Sequence, residues 1–257
     1  MPVDHPPIRE AARAFSVVLG PSVVLDAVAG AALATAVHSL RRHRRPSRPI
    51  ALASGLVGAY LAVGRPLMLH WGATCEELHK PLPGDDLVPA PATQSTRAVT
   101  IDAPPAAVWP WLAQLGQDRA GFYSYDWLER LFLADVHNVN EIRPEWQHRA
   151  VGDFVRATPP NYLGSLFGRD VGWTITHVEP GRALVLDHWG AFVLEPAGSN
   201  QTRFIIRSSI GGPDAPAWGA GLTFALFELP HFIMERKMML TIKARAEGQA
   251  AGARLEG

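Results

Sequence analysis

The sequence predicts an α+β fold in which a curved antiparallel sheet wraps one long helix, preceded by two N-terminal transmembrane helices. Three observations carry this prediction: two apolar stretches separated by an Arg-rich run before residue 71, alternating strand patterns between residues 95 and 209, and a closing helical pattern over 216–249. The chain then divides into a membrane anchor (1–71), a Pro-rich linker (72–94), a folded domain (95–249) and a tail (250–257).

The predicted anchor holds two apolar helices, at about 15–40 and 50–71. Each is long enough to cross, or nearly cross, a hydrocarbon core of about 30 Å. Asp26 makes the first span the poorer one, because a carboxylate at mid-membrane costs roughly 2.5 to 3.5 kcal/mol on insertion scales. The alternative is a helical hairpin packed on a protein surface. Arginines in the loop 41–48 favour the cytoplasmic side, so we expect the folded domain outside the cytoplasm.

Charge and composition narrow the classes of partner. Residues 1–71 carry eight Arg and three acidic residues, and the remaining residues carry 16 basic and 21 acidic ones, so the domain has a net charge of −5. An acidic domain is a poor partner for nucleic acid. The single Cys75 excludes an intrachain disulfide and a multi-cysteine metal site. Three Lys against 21 Arg is typical of GC-rich bacterial coding, so we expect a bacterial cell membrane.

The elements of the domain follow in order after the irregular, Pro-rich linker. Residues 95–103 alternate as a strand, and Pro104 and Pro105 open a helix that runs through Leu115. A second helix is predicted from Ser124 to Leu133. Strand patterns then cover 152–158, 172–179, 182–189, 191–195 and 202–209. The closing helix contains Pro230, which predicts a kink.

Several local strings resemble a known superfamily. They are WGAT (71–74), PGD (83–85), STRAVTIDAPPAAVWPWLAQLG (95–116), GFYSYDWLE (121–129), HN (137–138) and HFIMERKMML (231–240). Together with the order of elements, they resemble membrane-anchored bacterial members of the START and polyketide-cyclase superfamily, often called SRPBCC. The resemblance covers about residues 71–247 and implies the helix-grip fold with an apolar cavity. It implies little about activity, because that superfamily includes lipid carriers, receptors, cyclases, dehydratases and oxygenase subunits.

The densest group of polar and aromatic residues lies between Gly121 and Gln147. Tyr125 and Glu129 are four residues apart and share one face of the predicted second helix, beside Tyr123 and Trp127. If that face lines the cavity mouth, the tyrosines can hydrogen-bond a ligand oxygen while the indole packs on its carbon skeleton. The alternative is that Trp127 belongs to the core, Glu129 is solvated and the tyrosine hydroxyls satisfy loop backbone.

A second group contains His137, Asn138 and Glu145. A histidine beside a carboxylate can act as an acid–base pair on an enolisable ligand. The alternative is structural, with His137 and Asn138 capping backbone groups. We expect no metal, since Pro144 breaks the helix that would align His137 with the nearby glutamates, and no cofactor.

Two further ligand contacts are predicted, Trp173 in a strand and Phe224 in the apolar segment 217–227 of the long helix. That segment is either core or a wedge that touches the membrane. The preferred function is membrane-anchored binding of a hydrophobic small molecule or lipid. The first alternative is a cyclase or dehydratase that uses Tyr123, Tyr125 and His137, with Glu129 or Glu145, on a polyketide- or isoprenoid-like substrate. The second is a structural or partner-binding module. The oligomeric state is left open.

Overall fold

The computed structural model describes residues 34–35, 37–39, 41–42, 47–125, 138–158, 171–210 and 217–255, with backbone alone for 217–227 and 253–255. Over these residues the chain is an α+β structure with a six-stranded antiparallel sheet and a long C-terminal helix, which confirms the predicted class. Residues 126–133 of the predicted second helix and most of the first apolar stretch, 15–40, lie outside the described residues. The first two residues of that predicted helix, Ser124 and Tyr125, are described and are not helical.

Helix α1 spans Arg48–Leu69 and, within the described residues, it is the one helix long and apolar enough to cross a membrane. Its mean hydropathy is 1.4, and the structure buries none of its apolar window. A π-helical turn at Tyr60–Gly64 interrupts it one turn before Pro66. Because proline lacks an N–H and crowds the carbonyl four residues earlier, the wider turn lets the helix continue. A pair of transmembrane helices is not shown.

The sheet has the order β1-β6-β5-β4-β3-β2, and its strands pair antiparallel. The strands are β1 Thr93–Ile101, β2 Phe154–Arg156, β3 Gly172–Glu179, β4 Ala183–Leu186, β5 Gly190–Pro196 and β6 Thr202–Ile210. Alternate side chains point to opposite faces, so Phe204 and Ile206 of β6 face inward while Ile205 faces outward. Each face of the sheet has its own apolar cluster.

Two helices cover the inner face of the sheet. Helix α3 (Pro105–Ala113) buries Val108, Trp111 and Leu112, and helix α4 (Ala217–Leu255) buries Met238, Met239 and Ile242. The α4 residues are spaced by three and four, which places them on one stripe of the helix. The sheet's inner side chains complete the main core, and they include Ile101, Leu184, Leu186, Phe192, Leu194 and Phe204.

The outer face of the sheet is covered by residues 72–92, the segment that the sequence assigns to the linker. Helix α2 (Cys75–His79) begins with a capping box between Thr74 and Glu77. Glu77 receives two hydrogen bonds from Arg203 of β6, at 2.6 and 2.9 Å. Leu82 joins the outer apolar cluster. The segment is therefore a third layer of the structure.

The end of α1 is fixed to the folded part of the chain. Arg65 donates to Glu228 of α4 at 3.0 Å, and the backbone N–H of Ala98 in β1 donates to the carbonyl of Trp71 at 3.0 Å. The Trp71 ring contacts Phe232 edge-on, with centroids 6.5 Å apart. Arg65 contacts Glu228, and Trp71, two residues beyond the end of α1, contacts Phe232 further along α4. The end of α1 and α4 therefore run in the same direction where they meet.

Candidate functional site

Four aromatic side chains form a cluster at one end of the interface between the sheet and α4. Trp173 of β3 and Trp189, which precedes β5, lie with ring centroids 4.3 Å apart. Phe122 lies 5.9 Å from Trp173 and 5.7 Å from Trp189, and Phe192 of β5 lies 5.1 Å from Trp189. We refer to Phe122, Trp173, Trp189 and Phe192 as the aromatic cluster. Trp173 is half-buried, so the cluster reaches the molecular surface.

A buried ion pair lies directly behind the aromatic cluster. Arg97 of β1 and Glu235 of α4 are joined at 2.5 Å, and each side chain is 1% exposed. The other carboxylate oxygen of Glu235 accepts from the Trp189 indole N–H at 3.2 Å. Arg97 also donates to the carbonyl of Met68, at 2.9 Å. The pair thus joins β1, α4, the end of α1 and the aromatic cluster in one network.

His231 lies one turn before Glu235 on α4. Its Nε2 is 3.5 Å from Glu235 Oε2, its ring is 6.3 Å from the Trp189 ring, and 39% of its side chain is exposed. Among the polar side chains of this network, His231 is the one that reaches solvent beside the aromatic cluster.

Burial and neighbouring charges shift the pKa values of Glu235 and His231. Burial alone would raise the pKa of Glu235, but Arg97 and His231 outweigh it, so the pKa lies below its ordinary value. Desolvation lowers the pKa of His231, an effect that Glu235 opposes and Arg97 reinforces. Glu235 is therefore an anion with both oxygens engaged, and His231 is neutral at pH 7. A neutral imidazole has one N–H donor and one acceptor nitrogen, so it can form a hydrogen bond with a ligand oxygen.

The structure places the predicted site residues Tyr123 and Asn138 together in a packed turn beside α3. Tyr123 is 1% exposed and has a φ of +54°, and its hydroxyl accepts from Gln114 Nε2 at 2.9 Å. Asn138 accepts from the Tyr123 backbone N–H at 2.5 Å and donates to the Ser124 carbonyl at 3.2 Å. Burial raises the pKa of Tyr123, so its hydroxyl stays protonated. The two Asn138 contacts are of the kind that the structural alternative describes, whereas the Tyr123 hydroxyl contacts a side chain.

The other described members of the predicted site are placed differently. Trp173 is in the aromatic cluster, Tyr125 is half-buried against α4, and Glu145 is exposed on a short 3-10 helix at Pro144–Trp146. Trp127, Glu129 and His137 lie outside the described residues, as does the side chain of Phe224. Their proposed roles stay predictions.

Tyr125 lies at a groove on the face of α4 that points away from the sheet. The groove has a volume of about 440 Å³. Its lining consists of Tyr125, Arg236, Lys237, Leu240, Thr241, Ala244 and Arg245, and we refer to it as the α4 groove.

Sequence reasoning missed the centre of the network, namely Arg97, Glu235 and Trp189. A signal was present for the first two. Arg97 has the same strand parity as the apolar Val99 and Ile101, and Glu235 precedes Met238, Met239 and Ile242 at helical spacings. A charge on the apolar face of two separate elements indicates a buried pair. In the described part of the chain, no three His, Cys, Asp or Glu side chains are grouped so as to hold a metal ion.

Comparisons with known proteins give little. No family model and no curated protein matches the chain. It is similar to the solution NMR structure of a protein from Arthrobacter aurescens, with 16% identity over 61% of this chain and 87% of the other, and a TM-score of 0.33. It is also similar to a conserved protein of unknown function from Enterococcus faecalis, with 15% identity over 61% and 84%, and a TM-score of 0.29. Similarities this low carry no argument about function.

Proposed function

We propose that this protein is a membrane-anchored domain that binds a hydrophobic small molecule or lipid between its sheet and α4, in the manner of helix-grip proteins of the START and polyketide-cyclase superfamily. The aromatic cluster is the observation that carries the proposal. It presents the half-buried Trp173 and the partly exposed His231 at the end of the sheet–helix interface. Aromatic faces with one polar group are typical of sites for apolar ligands that carry a single oxygen.

The way in which α1 joins the domain supports a site close to the bilayer. Arg65, Met68 and Trp71 each make contacts to β1 or α4, so no free linker separates the apolar helix from the ligand-binding part. A domain held in this way can exchange an apolar ligand with the membrane without carrying it through water. The exposed apolar surface of α1 has the length and composition to lie in lipid.

The shared direction of α1 and α4 adds to this placement. Going back from the Arg65–Glu228 pair, α1 enters its apolar window, and α4 enters the segment 217–227, which has no ionisable residue. Eleven helical residues span about 16 Å, close to half of a hydrocarbon core of about 30 Å. We therefore favour the wedge interpretation of this segment, in which it enters one leaflet beside α1.

Membrane topology follows from the arginine run. The arginines among residues 41–48 precede α1, so the simplest orientation keeps them in the cytoplasm of a bacterium and places the domain on the other side of the membrane. The enzyme and interaction-module alternatives stay predictions. The enzyme alternative now lacks Tyr123 as an exposed proton donor, because Gln114 and the core enclose its hydroxyl.

Replacing Trp173 with alanine should weaken ligand binding. The substitution removes an aromatic wall that contributes about 1.5 kcal/mol or more by burial, which corresponds to a rise in Kd of about tenfold. Full-length protein in a mild detergent would be titrated with farnesol, and the bound stoichiometry read by native mass spectrometry. We expect saturable binding of one molecule to the wild type and the weaker Kd in the variant.

Trp146→Ala is the matched control. Trp146 is also half-buried, but it lies on the 3-10 helix and stacks with Arg143 at 4.7 Å, outside the aromatic cluster. Its removal should leave the Kd unchanged. Non-saturable adducts of every stoichiometry in all three proteins would contradict the proposed function.

A further inference from the structure

The α4 groove lies on the opposite side of α4 from the core. Residues 236, 237, 240, 241, 244 and 245 recur every three to four positions, which places them on one stripe of the helix. The stripe that faces the sheet contains Glu235, Met238, Met239, Ile242 and Ala246, all of them buried. The α4 groove is thus distinct from the aromatic cluster, and it has its own lining.

Three cationic side chains line the α4 groove, although residues 72–257 carry a net charge of −5. Arg236 lies over the Trp71 ring at 4.9 Å, and Lys237 lies 5.6 Å from the Tyr125 ring centroid. Arg245 lies over the Tyr123 ring at 4.4 Å and donates to the carbonyl of Val139. In the part of the chain that the structure describes, Arg236 and Lys237 form no ion pair with a carboxylate.

Thr241 supplies a second, independent indication of a ligand. Its hydroxyl oxygen is buried and has no hydrogen-bond partner among the described residues, although Thr241 lines the α4 groove. A buried hydroxyl without a hydrogen-bond partner lowers the stability of the fold. A bound ligand that accepts a hydrogen bond from it would offset this loss. A rotation of the Thr241 side chain toward the α4 groove would let the hydroxyl donate to an oxyanion that Lys237, one turn earlier, attracts by charge.

The position of the α4 groove restricts the kind of anion. Arg236 contacts Trp71, two residues after the end of α1, so this end of the groove is next to the point where α1 meets the domain. Leu240 and Ala244 supply apolar surface between the polar groups. A site with an apolar floor, beside an apolar helix, suits a molecule that is anionic at one end and apolar at the other.

We propose that the α4 groove binds the phosphate or carboxylate head group of an anionic amphiphile, with Arg236 and Lys237 pairing with the oxyanion and Thr241 donating a hydrogen bond to it. This inference rests on the proposed function for the membrane placement, and it adds a second site, separate from the aromatic cluster, that takes anionic amphiphiles. The same oxyanion chemistry is offered by a lipid head group and by free phosphate, so the test must separate these sources.

The test uses full-length protein in a neutral detergent and native mass spectrometry. Dioleoyl phosphatidic acid is compared with dioleoylglycerol, which has the same acyl chains and no phosphate. We expect the wild type to bind the phosphatidic acid at least tenfold more tightly, and the double variant R236Q/K237Q to lose this preference. Arg182→Gln, which removes one exposed positive charge at the β3–β4 turn, should keep it.

Thr241→Val provides a readout that a purely structural role would not give. Valine has nearly the same shape but no hydroxyl, so we expect several-fold weaker binding of phosphatidic acid together with a higher Tm of the ligand-free protein. A variant that merely damaged the fold would lower both. Unchanged affinity in Thr241→Val and in R236Q/K237Q would overturn the proposal.

Inorganic phosphate at millimolar concentration distinguishes the two sources. If the α4 groove recognises an amphiphile, free phosphate should leave the phosphatidic acid bound; complete displacement would overturn the amphiphile assignment in favour of a phosphate site. Equal affinity for phosphatidic acid and dioleoylglycerol, with Trp173-dependent uptake of farnesol retained, would overturn this inference while leaving the proposed function intact. Tighter binding of phosphatidic acid than of dioleoylglycerol, without Trp173-dependent uptake of farnesol, would overturn the proposed function alone.

Discussion

Replacing Glu235 with alanine should lower the free energy of unfolding by about 3–5 kcal/mol, since it leaves the Arg97 guanidinium buried without a counter-charge. Both side chains of the pair are 1% exposed, so water cannot take over the lost interaction. Urea unfolding of the full-length protein in detergent, followed by tryptophan fluorescence, measures the change. Trp189 donates to Glu235 and therefore reports on the same region.

Two controls make this result specific to the buried pair. Glu179→Ala breaks the exposed pair between Glu179 and Arg182 and should cost less than about 1 kcal/mol. The double variant R97M/E235L exchanges the buried pair for apolar side chains and should be far less destabilised than Glu235→Ala, because no unpaired charge remains. Equal losses in Glu235→Ala and Glu179→Ala would contradict the buried network.

The same pair gives the protein an acid-sensitive stability. The pKa of Glu235 lies below its unfolded value of 4.5, so the unfolded chain binds a proton more readily than the folded one as the pH falls. The stabilisation is fully present above pH 4.5 and is lost as the pH falls through the lowered pKa. The double variant R97M/E235L should therefore lose less stability than the wild type between pH 5 and the acid limit of the same urea titration.

Gly72→Ala should be the most damaging single-methyl change at the junction between α1 and the sheet. Gly72 has a φ of +71°, and a Cβ there would lie 2.2 Å from the Ala98 carbonyl oxygen of β1. The left-handed backbone costs alanine about 1–2 kcal/mol, and displacing the β1 backbone adds about 1–3 kcal/mol. The same unfolding assay should show the sum of both penalties.

Gly181→Ala isolates the first of these penalties. Gly181 has a similar φ of +80°, but nothing lies within 4 Å of the Cβ that alanine would add. We expect it to lose about 1–2 kcal/mol, the backbone penalty alone. If the two alanine variants were equally stable, Trp71 and Gly72 would not be held against β1 in the way described here.

The strands and the closing helix could be predicted because their patterns are local. The 172–179 prediction coincides with β3, and the predicted strand at 202–209 ends one residue before β6 does. Helix α4 continues to Leu255, beyond the predicted end at 249 and into the predicted tail. Among the strands, the largest departures are at β1, predicted over 95–103, at β2, predicted over 152–158, and at β4, predicted over 182–189. Pairing with neighbouring strands decides these ends, and the sequence pattern extends beyond the paired residues.

The outer layer formed by residues 72–92 was harder to foresee. Prolines in that segment indicate irregular backbone, and they carry no information on what the backbone covers. One signal was present in β4, where Ala183–Leu186 is apolar without alternation and all four residues are buried. A continuous apolar run indicates a strand that is covered on both faces. The apolar run in β4 therefore predicts a further layer on the outer face of the sheet.

The candidate site was the least predictable part of the chain. Arg97 and Glu235 are 138 residues apart, so no local spacing links them. The segment around Tyr123 was predicted as a ligand-facing group because it is rich in tyrosine and tryptophan. The backbone places Tyr123 in a left-handed conformation held by Asn138, which directs its ring into the core against Trp111. Burial of a tyrosine depends on tertiary packing, which composition does not reveal.

Ligand binding is tested most directly by identifying what the protein carries when it is purified. Full-length wild type, Trp173→Ala and Trp146→Ala would be purified in mild detergent and extracted with organic solvent, and the extracts compared by mass spectrometry. We expect one apolar compound, close to stoichiometric with the wild type and Trp146→Ala, and depleted in Trp173→Ala. Extracts that contain only bulk phospholipid, in equal amounts from all three proteins, would contradict the proposed function.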